Sequence, residues 1–156
     1  MVATPLIIMM LAIFEYALAF LVMVTLDNAT RSAARQIRTG EAQTASVSAS
    51  TFKSMVCDKM TWLSKTDCTG NLQVDARVFS SFASSGAPDP TSNGSFDSTK
   101  LKFDLGGPGQ IIVVTSYYKW KLISTALLSG LSSTMFGTGN FAATASSAFR
   151  NEPYGS

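Results

Sequence analysis

PLIIMMLAIFEYALAFLVMVTL, residues 5–26, is an apolar run of bilayer-spanning length whose one charged residue, Glu15, sits in the middle. As a helix rising about 1.5 Å per residue it reaches roughly 33 Å, slightly more than a hydrocarbon core of about 30 Å. A carboxylate at that depth costs about 2.5–3.5 kcal/mol on insertion scales unless it finds a partner. The run therefore reads as a membrane anchor carrying an assembly device, or as the stalk of a helix that packs against copies of itself. Both readings attach the rest of the chain to a surface or a filament. A cleaved secretory signal fits less well, because no basic residue precedes the run and no small-residue cleavage site interrupts it.

The helical pattern does not stop at Leu26. DNATRSAARQIRTG continues it, with Gly40 in the position of a C-terminal cap. Arg31, Arg35 and Arg38 recur at i, i+4 and i+7, a basic stripe that reads as a solvated face, a headgroup contact or a subunit contact. Ala29, Ala33, Ala34 and Ile37 form the opposing small, apolar surface. The chain thus divides into a transmembrane and stalk helix over 1–40 and a second domain over 41–156.

Composition narrows what that second domain does. The chain has 156 residues, enough for one domain plus the anchor, and a net charge of +2, too small to argue for nucleic acid. It has no histidine, so the commonest metal ligand and general base are both missing. Two cysteines are too few for a thiolate zinc site. The glycines at 106–109 read as a hairpin turn, not a phosphate loop, since no GK[ST] follows them. No serine has a base marked to activate it. The reading is a non-enzyme with no cofactor, no metal and no small-molecule substrate.

After a polar connector, EAQTASVS, a second helix is expected from about Ser50 to Ser64, with Ser50 as N-cap and Phe52, Val56, Met60 and Leu63 on its buried face. Trp62 flanks that face and reads as core packing. Beyond Gly70 the period becomes two. Leu72, Val74, Ala76 and Val78 alternate with polar residues as a half-buried strand. Residues 83–99 are turn-rich and read as a mobile loop. Leu101, Phe103 and Leu105 suggest another strand, and IIVVTSYYKW, 111–120, is apolar on both faces and suits a central one. Residues 123–136 read as a short helix or an extended lid. NFAATASSAFRN closes the sheet with Phe141, Ala143, Ala145 and Phe149 on one face. The fold class is α+β: a long N-terminal helix, a second short helix and an antiparallel sheet of about four strands.

Cys57 falls within the second helix and Cys68 just beyond it. A disulfide there closes a loop of about a dozen residues, worth up to roughly 3 kcal/mol on the chain-entropy model. Unlinked buried thiols are the other reading, and export of the domain decides between them. On its own the arginine block after the span would place the C-terminal domain in the cytoplasm. The cysteine pair and the Ser/Thr/Gly-rich remainder point to an oxidising exterior.

Three stretches resemble the TadE-like pseudopilins of the tight-adherence (Tad/Flp) pilus system. VATPLIIMMLAIFEYALAFLV looks like that family's proline-containing anchor with its acidic-aromatic pair, here Glu15-Tyr16. LDNATRSAARQIRTG resembles the small-residue and arginine block that follows, and AFRNEPY, residues 148–154, is similar to endings in alphaproteobacterial members. The sequence opens at Met1-Val2, past the point where the family carries its basic leader, glycine cleavage site and earlier acidic-aromatic pair; a late start and an unprocessed relative are the two readings, and peptidase processing is not part of the expectation.

The resemblance implies a minor pseudopilin that helps to assemble, prime or cap an adhesive, type IV-like pilus. Its place would be the bacterial inner membrane, single pass, with the C-terminal domain periplasmic or carried into a cell-surface pilus. Its partners would be membrane lipid and other pilins or pseudopilins of the system. Glu15 and Tyr16 would be the assembly contact in the span. A major filament subunit and a monomeric membrane-anchored binding module are the alternatives.

Overall fold

The computed structural model describes residues 3–84, 86, 89–123, 134–137 and 139–153. Helix α1 runs unbroken from Ala3 to Arg38. Pro5 lies in the first turn, where its missing N–H breaks no ladder. Gly40 ends the helix in a left-handed conformation (φ 82°) that a side chain would resist. The buried positions of α1 are Glu15, Ala19, Val22, Leu26, Ala29, Thr30, Ala33, Ala34 and Ile37, one stripe with helical spacing. That stripe packs mainly on the last strand of the sheet and on α3.

The connector holds a single helical turn, α2 (Glu41–Thr44). The expected second helix is two helices, α3 (Ala49–Lys59) and α4 (Lys65–Asn71). Ser48, not Ser50, caps α3 by accepting the Thr51 N–H at 3.2 Å. Ser64 starts α4 as its N-cap, accepting the Asp67 N–H at 3.2 Å and donating to the Asp67 carboxylate at 2.7 Å. Phe52, Val56 and Met60 are fully buried, as their spacing predicts. Trp62 lies in the break between the helices and is 39% exposed, so it is not the core residue expected. A disulfide joins Cys57 of α3 to Cys68 of α4, with Cα atoms 5.7 Å apart.

The main sheet has three antiparallel strands in the order β1 (Leu72–Phe79), β4 (Ile111–Lys121), β5 (Asn140–Arg150). Leu72, Val74, Ala76, Ile112, Val114, Tyr118, Ala143 and Ala145 face the helices in one core. The other face of β4 is buried too, which accounts for its two-sided apolar pattern: Phe96 sits edge-on against Tyr117 with ring centroids 5.9 Å apart. Phe96 belongs to a small hairpin, β2 (Thr91–Ser92) and β3 (Ser95–Phe96), within what reads as a mobile loop in the sequence. Asn93 and Gly94, at φ 51° and 77°, form its turn. Asn-Gly is the pair that a two-residue hairpin favours.

The strand expected at 101–105 does not form. One parallel bridge joins Ala76 to Phe103, with the Ala76 N–H bound to the Lys102 carbonyl at 2.8 Å and the Asp104 N–H to the Ala76 carbonyl at 2.9 Å. The flanking groups are claimed by side chains of β1. The buried Asp75 carboxylate takes the Lys102 N–H at 2.7 Å, and the Arg77 guanidinium donates to the Lys100 carbonyl at 2.6 Å. The sheets therefore hold three and two strands, not four in one, and the α+β class stands. Residues 106–109 form a tight turn but not a hairpin, since β4 pairs with β1 and β5. Of 123–136, residues 124–133 lie outside the described residues; Thr134–Phe136 is a 3₁₀ turn.

Candidate functional site

The sequence marks three sets of residues, and the structure keeps them apart. Glu15 and Tyr16 are neighbours in the chain but point in opposite directions. Glu15 is 3% exposed, whereas Tyr16 is 59% exposed on the outer face of α1. The Glu15 carboxylate accepts a hydrogen bond from the backbone N–H of Ile123, just past the end of β4. A partner for the carboxylate thus comes from the same chain's own sheet domain, which offsets part of the cost of burying a polar group. Local sequence carries no sign of this pairing, because 108 positions separate the two residues.

Around this section of α1 the end of the sheet domain forms a collar. Phe141 meets Tyr16, Ala19, Phe20 and Met23 in a small apolar cleft. Trp120, paired across the ladder with Phe141, packs on Trp62 with ring centroids 5.7 Å apart. The Trp62 indole N–H donates to the Thr25 hydroxyl at 3.3 Å. Beyond the collar, Leu6, Met9, Met10, Leu11, Ile13 and Phe14 are 55–65% exposed. Helix α1 is long and apolar enough to cross a membrane.

The arginine stripe lies at the other end of α1, from about 24 Å (Arg31) to about 35 Å (Arg38) beyond Glu15 at the helical rise. Arg31 pairs with Asp27 at 2.9 Å and Arg38 with Glu152 at 3.3 Å, all four side chains well exposed. With Ala34 and Ser147–Phe149 the three arginines line an open groove of about 310 Å³ between α1 and β5. The Glu152 N–H donates to the Arg38 carbonyl at 2.9 Å and so closes the end of α1. Asn151, 2% exposed, donates its side-chain amide to the carbonyls of Leu105 and Gly107. The tail quoted as a family resemblance thus has local work: it pins the glycine turn and the end of the anchor helix.

On the far face of the sheet, Asp75 accepts a bidentate contact from Arg77 (2.8 and 2.9 Å), and together they hold the 100–102 segment. Burial pushes the nearby Tyr117 hydroxyl up to about 12, helped by the Asp75 carboxylate and opposed by Arg77. Asp89 and Asp97 are held below the usual carboxylate range by hydrogen bonds from Thr91 and Thr99, which staple the hairpin loop. Asp75 and Arg77 fasten a loop to the sheet, and Asp89 and Asp97 fix turns within it. Among the described residues, no group of three or more His, Cys, Asp or Glu side chains is placed to hold a metal ion.

No curated protein and no solved structure matches the chain. A family model does, that of the TadE-like proteins, over residues 1–35. The match takes in the apolar run, Glu15, Tyr16 and two of the three stripe arginines, and ends before the sheet domain. It spans both the exposed N-terminal part of α1 and most of the stripe that packs on the sheet, from Glu15 to Ala34. Over residues 1–35, most of helix α1, the chain is similar to the TadE-like proteins.

Proposed function

We propose that this chain is a non-enzymatic minor pseudopilin, held in the bacterial inner membrane by α1 with its sheet domain in the periplasm, and that it assembles, primes or caps a Tad-type pilus. One observation carries the reading: the TadE-like match falls on α1, whose N-terminal part extends beyond the domain as an exposed apolar helix, so that part is left for lipid or other subunits. The Cys57–Cys68 disulfide supports an oxidising compartment for the domain. The partners are membrane lipid and other pilins or pseudopilins, met along the face of α1 that carries Tyr16. Glu15 acts at the boundary between that helix face and the domain. The arginine stripe serves as a solvated or headgroup-facing surface.

The test is removal of the gene from its host, followed by pilus counts and quantification of the protein in sheared-pilus and membrane fractions. Loss of pili with the protein scarce in the sheared fraction fits a minor role. A stoichiometric presence in the fibre makes it the major subunit, and unchanged piliation leaves the binding-module reading. Glu15→Leu sharpens the result: pilus output falls while the protein remains in the membrane. Normal piliation at normal protein level removes any assembly role for Glu15.

A further inference from the structure

We propose that the free edge of β5 and the arginine stripe of α1 form one docking site, in which an extended acidic segment of a partner protein adds to the main sheet as a fourth strand. The inference stands apart from the anchor reading and gives an occupant to a stripe that is solvated in the free chain.

The two edges of the main sheet are finished differently. At β1 the outward N–H and carbonyl of Ala76 are bound by Lys102 and Asp104, and Asp75 and Arg77 hold the same segment in place. β5 is the last strand at the other edge. Its parity is fixed at both ends: the Leu122 N–H donates to the Gly139 carbonyl at 3.0 Å, and the Asn151 N–H to the Gln110 carbonyl at 2.8 Å. Between them the register is continuous, from Lys121 opposite Asn140 to Ile111 opposite Arg150. In an antiparallel ladder each residue turns its N–H and carbonyl to one side, and the next residue turns them to the other. The odd-numbered residues of β5 therefore bind β4, while Thr144, Ser146 and Ala148 turn their backbone groups outward. Among the described residues nothing binds those outward groups. The stretch FAATASSAF, 141–149, has no proline and no charge, the usual means of blunting an edge, and its ladder has no bulge. It is an open template for another strand.

The arginines state which strand fits. Phe149 packs toward the core and Ala148, by alternation, faces the other way, yet both line the groove beneath the stripe. The groove thus runs along the edge of β5 itself. Arg31 and Arg38 hold Asp27 and Glu152 in exposed pairs, which are weak enough to exchange. Among the described residues no carboxylate lies within ion-pair reach of Arg35, between them. Successive arginines of the stripe are about 4.5–6 Å apart along the helix axis, and side chains on one face of a strand about 7 Å apart. An added strand with carboxylates at alternate positions sets two of them against the stripe while its backbone meets the outward groups of β5. A second copy is the poorer occupant, because residues 140–150 carry no carboxylate and each arginine stripe would face the other. Lipid headgroups would satisfy the guanidiniums and leave the row of backbone groups unmatched.

The test uses the full chain in a mild non-ionic detergent and a fluorescein-labelled peptide of alternating valine and glutamate, read by fluorescence anisotropy. The peptide is expected to bind, less tightly in high salt, and its counterpart with lysine in place of glutamate is not. Ala148→Pro removes one outward N–H and no bond of the ladder, so the domain should keep its circular dichroism. Its affinity for the peptide should fall about tenfold, the loss expected of one or two hydrogen bonds. Arg35→Glu should weaken binding by at least as much, with the thermal midpoint unchanged. If either variant fails to fold, the glutamate peptide N-methylated at every residue makes the test from the other side, since it keeps the carboxylates and lacks the donors. Loss of binding on N-methylation supports the strand. Equal binding shows a bare anion surface, such as a headgroup would use, and overturns it. No binding of the glutamate peptide overturns it too, as does a dimer of the chain that Ala148→Pro dissolves, because a second copy then fills the edge.

Discussion

Upstream of Glu15, α1 is apolar all round and exposed; downstream, the same helix has two unlike sides. Leu11 is 55% exposed, whereas Val22, Leu26 and Ile37 are completely buried. Arg31 and Asp27 face outward from the stretch that buries Ala29 and Ala33. A helix that is hydrophobic on every side needs an apolar surrounding, and one with a polar face needs a core on one side and water on the other. The outer face of the helix stays apolar as far as Val24 and turns charged at Asp27, so Glu15 marks only where the buried stripe begins.

The strongest way to break this comparison is to make the same substitution on both sides of Glu15. Leu26→Ala removes a fully buried side chain from the joint of α1, α3 and the sheet, and should destabilise the domain by about 3–4 kcal/mol. Leu11→Ala should change domain unfolding by less than about 0.5 kcal/mol, as for an exposed surface site. Urea unfolding in a mild detergent, followed by near-ultraviolet circular dichroism, measures both. Equal effects would mean that α1 is one uniform element.

A smaller effect is expected from the staple behind the buried half. Replacing Cys57 and Cys68 together with serine should cost about 2–3 kcal/mol, from the lost restraint on the unfolded chain. α1 should remain helical in that variant, because its own ladder does not run through α3 or α4. Loss of helicity beyond the two short helices would show that the stapled pair templates α1.

pH sharpens the comparison from the far side of the sheet. Tyr117 has its hydroxyl pushed up to about 12, above the value near 10 of an unfolded chain, so the folded state holds its proton more tightly. Its contribution is fully present below pH 10 and is lost as the pH rises from about 10 to about 12. The thermal midpoint should fall over that window, and Tyr117→Phe should flatten the fall. An unchanged slope in the variant would move the alkaline weakness elsewhere.

Least is expected from the polar side of α1. The Arg38–Glu152 pair has both side chains about half exposed, and such pairs give about 0–1 kcal/mol. Arg38→Ala should lower stability by less than about 1 kcal/mol, and less still in high salt. A larger loss would mean that the tail's grip on the end of α1 depends on the ion pair and not on the Glu152 N–H.

Much of the fold is legible residue by residue. α1 and its end at Gly40, the alternation of β1, the two-sided β4 and the facing of β5 all follow from periods of 3.6 and 2, which local side-chain direction imposes. The failures have a common cause. Ser48 displaces Ser50 as cap and Ser64 restarts a helix because hydroxyls compete for a few amides within one turn. The 101–105 segment alternates like a strand, but Asp75 and Arg77 take the groups a longer ladder would use. Trp62 looks like core on a helical wheel and loses that place when the helix ends at Lys59. The Asn93-Gly94 pair was a readable hairpin signal hidden inside a polar stretch.

By itself, the sequence determined that an apolar helix long enough for a bilayer leads into an α+β domain, that Glu15 is out of place in that helix, and which stretch is TadE-like. Those properties are written in composition and periodicity, which act over a few residues. Only the tertiary structure decided that Glu15 turns inward to Ile123 while Tyr16 turns out, that Asn151 and Glu152 close the turn and the helix, and that Trp62, packed on Trp120, reaches Thr25 of α1. Each of these joins residues far apart in the chain, and the bond exists only after the sheet has placed its strand ends beside the helix.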